Sequence, residues 1–315
     1  MAPQKLAFHA GHLNERGTDV ALWDYAEYNQ TLLGNTSLIV SPLQADNAAY
    51  ERFASHFEVF LYPDRASLEA YLAQKEIDFF YTIVSGEREW LPQGKFKTGV
   101  HAVFNAYTPF GDVYAAISDW IVDHRSNGNL PVVPHMVHLP AVETNLRSEW
   151  GIPPEAIVFG RHGGFESFDL PFVQDVISNL VYQRPDLWFV FLNTRQFHDH
   201  PRILHLPKTT DPVYKTRFIN SCDAMLHARA AGESFGLAVG EFSLRNKPVF
   251  TWLGGHDKHH LRVLLGKGGI FYAHAEDLWQ QLNDFRPQPE LDWDCYSRRF
   301  DPLSVMCQFK SVFLS

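Results

Sequence analysis

The chain has 315 residues, of which 45% are hydrophobic, and a formal net charge of −9 at pH 7. Because single hydrophobic cores stop growing near roughly 250–300 residues, this length favours two domains. No run approaches the roughly 18 apolar residues of a membrane span. Three widely spaced cysteines indicate neither a disulfide framework nor a cysteine zinc site, and no secretory signal is evident, so we expect a cytoplasmic protein.

The negative charge is concentrated in the first half of the chain. Residues 1–145 carry 9 Lys and Arg against 17 Asp and Glu, whereas residues 146–315 carry 18 against 19. Nucleic-acid binding needs a basic footprint, so we expect no nucleic-acid partner. The same distribution gives no support to peripheral contact with an anionic membrane, although such contact stays open.

Strands and helices alternate through the first half. We predict a strand over residues 5–9, a helix over residues 18–33 that starts near a Thr18 cap, and a strand over residues 37–41. Further apolar runs cover residues 58–62, 79–84 and 99–104. Proline-rich sequence then places a linker near residues 140–153.

The second half repeats the alternation. The predicted strands cover residues 156–160, 187–192, 224–228 and 248–252, and the predicted helices cover residues 170–183, 212–221, 235–244 and 275–285. This pattern predicts the α/β class with doubly wound parallel sheets. We take residues 1–145 and 146–290 as two Rossmann-like domains that face each other across a cleft. A partly helical tail, residues 291–315, is expected to pack back on the first domain.

Two carboxylates eight residues apart, Glu233 and Glu241, flank the segment Ser234-Phe235-Gly236-Leu237 between a strand and a helix. Such a turn directs free backbone N–H groups and the positive end of a helix dipole at the loop, which suits a diphosphate. Gly236 lets the backbone come close to a ligand. Eight helical residues span about 12 Å, comparable with a nucleoside diphosphate sugar, so the two carboxylates could grip its two ends.

This E-x7-E arrangement, followed by Lys247-Pro248-Val249, resembles the signature of retaining GT4-type glycosyltransferases (glycosyl transferases group 1), which have the GT-B fold. The resemblance implies that Glu233 contacts the donor sugar, Glu241 the ribose, and the N–H groups of Phe235 to Leu237 the diphosphate. It also implies transfer from a nucleotide-diphosphate sugar to a hydroxyl of a glycan or other acceptor. Retention at the anomeric carbon is expected, with no cofactor and no bound metal.

Other residues extend the resemblance. Arg161 follows a strand where the family places an arginine on the donor phosphates, and His101 matches a histidine that reaches the donor sugar. The loop with Gly11 and Gly17 resembles the family's loop beneath the donor diphosphate. The family's lysine about five positions after the arginine is Glu166 here, so the charge on the leaving diphosphate lacks one expected partner. Four basic residues could replace that lysine: Lys208, Lys215, Arg229 and Arg16.

Two other classes stay open. Glu166 favours an inactive nucleotide-sugar or glycan-binding protein on the same fold. A sugar-nucleotide epimerase or a Rossmann oxidoreductase is disfavoured, because the loop with Gly11 and Gly17 is not a G-x-G-x-x-G fingerprint. The histidine-rich segments at residues 198–200 and 256–260 lack metal-ligand spacing, so we predict no metal site.

Overall fold

Residues 3–14 and 17–315, which the computed structural model describes, form alternating strands and helices. Up to residue 124 the elements are β1 (Lys5–His9), α1 (Gly17–Thr31), β2 (Thr36–Pro42), α2 (Tyr50–Ala54), β3 (Glu58–Tyr62), α3 (Arg65–Gln74), β4 (Phe79–Val84), β5 (Lys97–Ala102), β6 (Val113–Ala116) and α4 (Asp119–His124). The following elements are β7 (Ile157–His162), α5 (Pro171–Gln183), β8 (Leu187–Leu192), β9 (Ile203–Leu206), α6 (Pro212–Asn220), β10 (Ala224–His227), β11 (Gly232–Glu233), α7 (Leu237–Leu244), β12 (Val249–Trp252), β13 (Asp257–Lys258), α8 (His259–Leu264), β14 (Gly269–Tyr272), α9 (Ala275–Asp284) and α10 (Pro302–Phe313).

These elements divide into two units. The first consists of Met1–Met136 and Phe300–Ser315, and the second of Val137–Arg299. The first unit has a six-stranded sheet in the order β3-β2-β1-β4-β5-β6, and the second has one in the order β14-β12-β10-β7-β8-β9. All neighbouring strands in both sheets are parallel. Counted along the chain, both orders read 3-2-1-4-5-6, the arrangement of a doubly wound Rossmann sheet.

The fold-class prediction of two Rossmann-like parallel sheets is confirmed. Periodicity missed several elements, mostly because short apolar runs carry little signal; among them are α2, α3, α4, β9, β11, β13, α8 and β14. It also placed the start of α1 at a Thr18 cap, whereas the helix already includes Gly17. The domain limits at residues 145 and 290 stay predictions.

Helix α10 completes the core of the first unit. Phe309 is fully buried and packs on the rings of Phe8, Tyr25 and Tyr81, with ring centroids 6.4, 5.2 and 5.2 Å away. In β1, Ala7 belongs to an apolar cluster with residues of β2, α3 and β4, while the adjacent Phe8 points to the opposite face. The carboxyl-terminal helix therefore covers a sheet face that would otherwise expose aromatic rings.

We expect Phe309→Ala to destabilise the first unit by about 3–5 kcal/mol, because it leaves a cavity among packed aromatic rings. The measurement is urea unfolding of the full chain. Gln308→Ala, an exposed position on the same helix, is the matched control and should change the unfolding midpoint little. If Phe309→Ala lowers the unfolding midpoint no more than Gln308→Ala does, α10 does not contribute to the core.

Candidate functional site

The candidate site lies at the reversal of strand order in the second unit. Strands β7 and β10 are neighbours there, with Ala224 opposite Phe159 and Met225 opposite Gly160. Their carboxyl ends carry Arg161 and His162 on β7 and His227 on β10. Ligands of doubly wound sheets bind where the strand order reverses, outside these ends. The residues of the sequence motif follow β10 directly.

The loop after β10 returns sharply before α7. Gly232 has φ +71°, and a Cβ there would lie 2.0 Å from the carbonyl oxygen of Asp257, so only glycine lets β11 pair with β13. Gly236, with φ +91°, precedes α7 and no side chain caps the helix. The helix thus begins at Leu237, two residues later than predicted. Its open N–H groups are those of residues 236–239, which include Gly236 and Leu237 of the predicted set but not Phe235.

Glu233 lies on β11, before the helix, so the 12 Å helical spacing expected between the two carboxylates does not apply. Its side chain is 20% exposed. Arg229 Nη1 donates to Oε2 at 2.9 Å, and His227 Nε2 donates to Oε1 at 3.3 Å. Burial raises the pKa of Glu233, but the His227 hydrogen bond and the Arg229 charge outweigh it and lower the pKa to about 2. Glu233 is therefore a carboxylate at neutral pH.

A chain of buried polar groups lies behind Glu233. His227 Nδ1 is 3.0 Å from Thr251 Oγ1, which is 3.1 Å from His260 Nε2. The Tyr272 hydroxyl donates to the His227 carbonyl at 2.7 Å. These contacts fix the His227 ring and so orient the carboxylate to which it donates.

Glu241 lies inside α7 and is 4% exposed. The ammonium of Lys215, from α6, pairs with Oε1, and His162 Nε2 lies 2.9 Å from Oε2. Burial raises the pKa of Glu241, but Lys215 and His162 outweigh it and lower the pKa to about 2. Each carboxylate of the motif is therefore held by one histidine at a strand end and by one arginine or lysine side chain.

Arg161 is held by the protein itself. It is 4% exposed, and Nη1 donates to the Asn193 carbonyl at 3.2 Å and to Thr194 Oγ1 at 2.5 Å. Nη2 donates to the Gly164 carbonyl at 2.9 Å and to Ser167 Oγ at 2.6 Å. Four of its five N–H groups are thus used. This side chain fixes the loop after β7, and the phosphate-binding role predicted for it stays a prediction.

Glu166, the residue at the family's lysine position, is 64% exposed and pairs with Arg195. The pair lies on the surface, where ion pairs contribute little to stability. This position therefore supplies no cation.

His101 is enclosed by the protein. It is fully buried in the first unit, where Nε2 donates to the Val133 carbonyl at 2.8 Å and Nδ1 accepts from the Tyr81 hydroxyl at 2.6 Å. Burial lowers its pKa to about 4. No ring atom is accessible and both nitrogens are bonded, so this arrangement gives no support to contact between His101 and a donor sugar, which stays a prediction.

The other predicted residues divide between the two units. Gly11 is exposed in the loop after β1, where a Cβ would meet nothing within 4 Å, and Gly17 begins α1, so both belong to the first unit. Ser234 and Phe235 are buried beside α7, and Phe235 stacks on His259 at 5.5 Å. Arg16, one of the proposed lysine replacements, lies outside the described residues. The structure therefore brings the motif residues and Arg161 together in the second unit, whereas His101, Gly11 and Gly17 belong to the first, and their predicted roles stay predictions.

Sequence reasoning missed the two histidines that hold the carboxylates. His162 directly follows Arg161, and His227 ends the apolar strand β10. A polar residue that closes a buried strand at the reversal point is the signal that would have found both.

Two further features bear on ligands. In the part of the chain that the structure describes, no group of three or more His, Cys, Asp or Glu side chains could hold a metal ion. Among the same residues, every helix is too short or too polar to traverse a lipid bilayer.

Solved structures share this fold over nearly the whole chain. HepE (Alr3699) from Anabaena, in complex with UDP-glucose, has 16% identity and a TM-score of 0.71, with 98% of each chain covered. A glycosyltransferase from Rickettsia africae has 13% identity and a TM-score of 0.73, with 99% of this chain and 98% of that chain covered. WaaG, a glycosyltransferase of lipopolysaccharide biosynthesis, has 11% identity and a TM-score of 0.64, covering 98% and 99%. No protein-family model and no curated protein sequence matches the chain. At these identities the likeness shows the fold, which is GT-B.

The lowered pKa values predict how stability depends on pH. Glu233 and Glu241 have a pKa of about 2 in the folded chain against an ordinary 4.5, so their stabilisation is complete above about pH 4.5 and is lost as pH falls towards 2. We expect each residue to contribute on the order of 2–3 kcal/mol to this loss. In urea unfolding between pH 7 and 2.5, Glu241→Gln should show a shallower dependence than the parent chain. The exposed Glu290→Gln is the control, and identical profiles for the parent and Glu241→Gln would contradict the assignment.

Proposed function

We propose that this chain is a retaining, metal-independent glycosyltransferase of the GT4 type that moves a sugar from a nucleoside diphosphate sugar to an acceptor hydroxyl. One observation carries the proposal: two ionised carboxylates flank an uncapped helix N-terminus where the strand order of the second sheet reverses. The shared GT-B fold supports it. Because HepE has been solved with UDP-glucose, and with UDP and glucose, a UDP-sugar is the first donor to test.

Glu233 is the proposed contact for the donor sugar. A carboxylate offers about four acceptor sites, and His227 and Arg229 use two of them. The remaining sites can accept hydrogen bonds from two vicinal hydroxyls. A side chain held from two sides also loses little freedom when the sugar binds.

Glu241 is the proposed contact for the ribose. Its carboxylate is covered by Lys215 and His162. Lys215 is the more adaptable of the two because it has four rotatable side-chain bonds, whereas His162 stacks on Phe242 at 5.7 Å. Movement of the lysine would open Glu241 to the ribose hydroxyls.

The diphosphate is proposed to bind at the start of α7. The N–H groups of residues 236–239 have no side-chain cap, and the helix dipole places partial positive charge at the same point. In the proposed reaction the anomeric C–O bond breaks and its electron pair goes to the diphosphate oxygen. The acceptor oxygen bonds to the anomeric carbon on the same face, and its proton passes to the departing diphosphate. The N–H groups would stabilise the charge that develops there.

A binding protein without turnover is the second candidate. It is favoured by the two positions where the resemblance expects a basic residue on the donor phosphates. Arg161 donates four hydrogen bonds to protein acceptors, and Glu166 is acidic and pairs with Arg195. Tight donor binding without transfer or hydrolysis would identify this candidate.

The direct test is a panel of UDP-, GDP- and ADP-sugars, with NAD as a further ligand. At least one donor should raise the melting temperature and be hydrolysed slowly, with no change on addition of EDTA. NMR of the product formed with an acceptor should show the anomeric configuration of the donor. No response to any sugar nucleotide would refute the proposal, and a response to NAD alone would favour an oxidoreductase or epimerase.

Removing each of the two carboxylates should affect a different quantity, either nucleotide affinity or turnover. Glu241→Ala is expected to weaken binding of the nucleoside diphosphate by roughly tenfold or more, because the ribose loses charge-assisted hydrogen bonds. Glu233→Ala should lower turnover and leave nucleoside diphosphate affinity within about twofold, since the sugar contact is what it removes. Calorimetry and steady-state kinetics measure the two effects. Equal changes in both quantities for both variants would contradict the assigned roles.

A further inference from the structure

The proposed donor site requires a cation, and in this arrangement neither predicted position has one free for it. When a glycosyl diphosphate dissociates, negative charge builds on the leaving group, and cations in a dry site stabilise it best. Arg161 has four N–H groups bonded to protein acceptors, and Glu166 carries the wrong charge. Another basic residue near the start of α7 must take this part if the proposed function holds.

Arg229 has N–H groups that are available to a ligand. It follows β10 by two residues and precedes Glu233 by four. Its side chain is 28% exposed, and within residues 3–14 and 17–315 only Nη1 has a hydrogen-bond partner, the carboxylate of Glu233. Nε and Nη2 carry three further N–H groups. Arg229 can therefore hold Glu233 with one edge and meet an anion with the other.

The backbone that carries Arg229 is fixed on both sides. Asp169 Oδ1 accepts from the Ala230 N–H at 2.8 Å, and the Ala228 carbonyl accepts from the Asp169 N–H at 3.1 Å. The Arg229 carbonyl accepts from the Gly232 N–H at 3.0 Å and closes the turn. A cation on a fixed loop is already oriented, which reduces the cost of ligand binding.

Lys215 is another cation of the site, and it is committed to a different carboxylate. Its ammonium pairs with Glu241, inside α7, whereas Arg229 pairs with Glu233, which precedes the helix. The open N–H groups of α7 belong to residues 236–239, just after Glu233 in the chain. Of these two cations, Arg229 is consequently the one whose carboxylate partner leads directly into the helix N-terminus, the end of a helix that binds anions.

We propose that Arg229 binds the diphosphate of the donor and replaces the lysine that Glu166 displaces. The proposal rests on the proposed function, since it names the cation of that same site. A guanidinium suits this place because it can bridge a carboxylate and a phosphate through separate edges, which a single ammonium does less well. Arg229 thereby couples the sugar contact, Glu233, to the leaving group.

The test compares UDP with uridine by calorimetry, or GDP with guanosine or ADP with adenosine if the parent chain prefers another base. Arg229→Gln should weaken binding of the nucleoside diphosphate by roughly 10- to 100-fold and binding of the nucleoside by less than about twofold, because only the former has phosphates. The affinity of this variant for the nucleoside diphosphate should also depend less on salt than that of the parent chain. Arg195→Gln, which removes an exposed arginine from the same unit, should change neither affinity.

A double variant separates phosphate binding from support of Glu233. In a Glu233→Gln background, Arg229→Gln should still cost the same factor in UDP affinity. Disappearance of the effect there, an equal loss for UDP and uridine, or no loss at all would overturn the inference alone. If Arg229→Gln does not fold, Arg229→Lys should still lose UDP selectively, by roughly three- to tenfold. If the parent chain binds no nucleoside diphosphate, the proposed function fails and the inference with it.

Discussion

The arrangement of the second unit depends on keeping two enclosed carboxylates ionised. Removing a carboxylate from water costs more than most single contacts return, and the side chains of Glu233 and Glu241 are only 20% and 5% exposed. Each is compensated by a histidine from the end of a central strand and by one longer cation. The pairs are His227 with Arg229 for Glu233, and His162 with Lys215 for Glu241. The polar ends of β7 and β10 thus have an electrostatic reason, independent of any ligand.

The same constraint explains why the surrounding backbone is so closely specified. An ion pair in a poorly solvated place is favourable only when its geometry is held. Gly232 and Gly236 adopt left-handed conformations that bring Glu233 back beside Arg229 and then begin α7. Asp169 ties the Arg229 loop to the loop after β7, and Arg161 fixes that second loop from within. Arg161 and Arg229 therefore differ in role. Four N–H groups of Arg161 are bonded to the protein, whereas Arg229 donates only through Nη1 among the described residues.

The sequence predicted the fold better than the site. Apolar periodicity located most central strands, because parallel strands buried on both faces form near-continuous apolar runs, as in β8. Spacing and glycines located the Glu233–Glu241 turn. They could not show that Asn193 and Thr194 accept from Arg161, or that His101 is enclosed by Tyr81 and Val133, because those partners lie 20 to 33 residues away in the chain. A position at a strand end predicts where a side chain starts, but its accessibility depends on what long-range packing leaves uncovered.

Charge balance at the site bears on what it can recognise. Arg161, Arg229 and Lys215 lie among the carboxylates of Glu233, Glu241 and Asp169, and burial lowers the pKa of His162, so this ring adds little charge. The positive charges that a diphosphate would meet are thus already paired with carboxylates of the protein. Its binding is favourable only if sugar and ribose hydroxyls donate to the carboxylates while the cations turn to phosphate oxygens, since a carboxylate left bare costs the full desolvation penalty. A free phosphate or pyrophosphate brings no such hydroxyls. Under the proposed function, the arrangement therefore favours a whole nucleotide sugar over a simple anion.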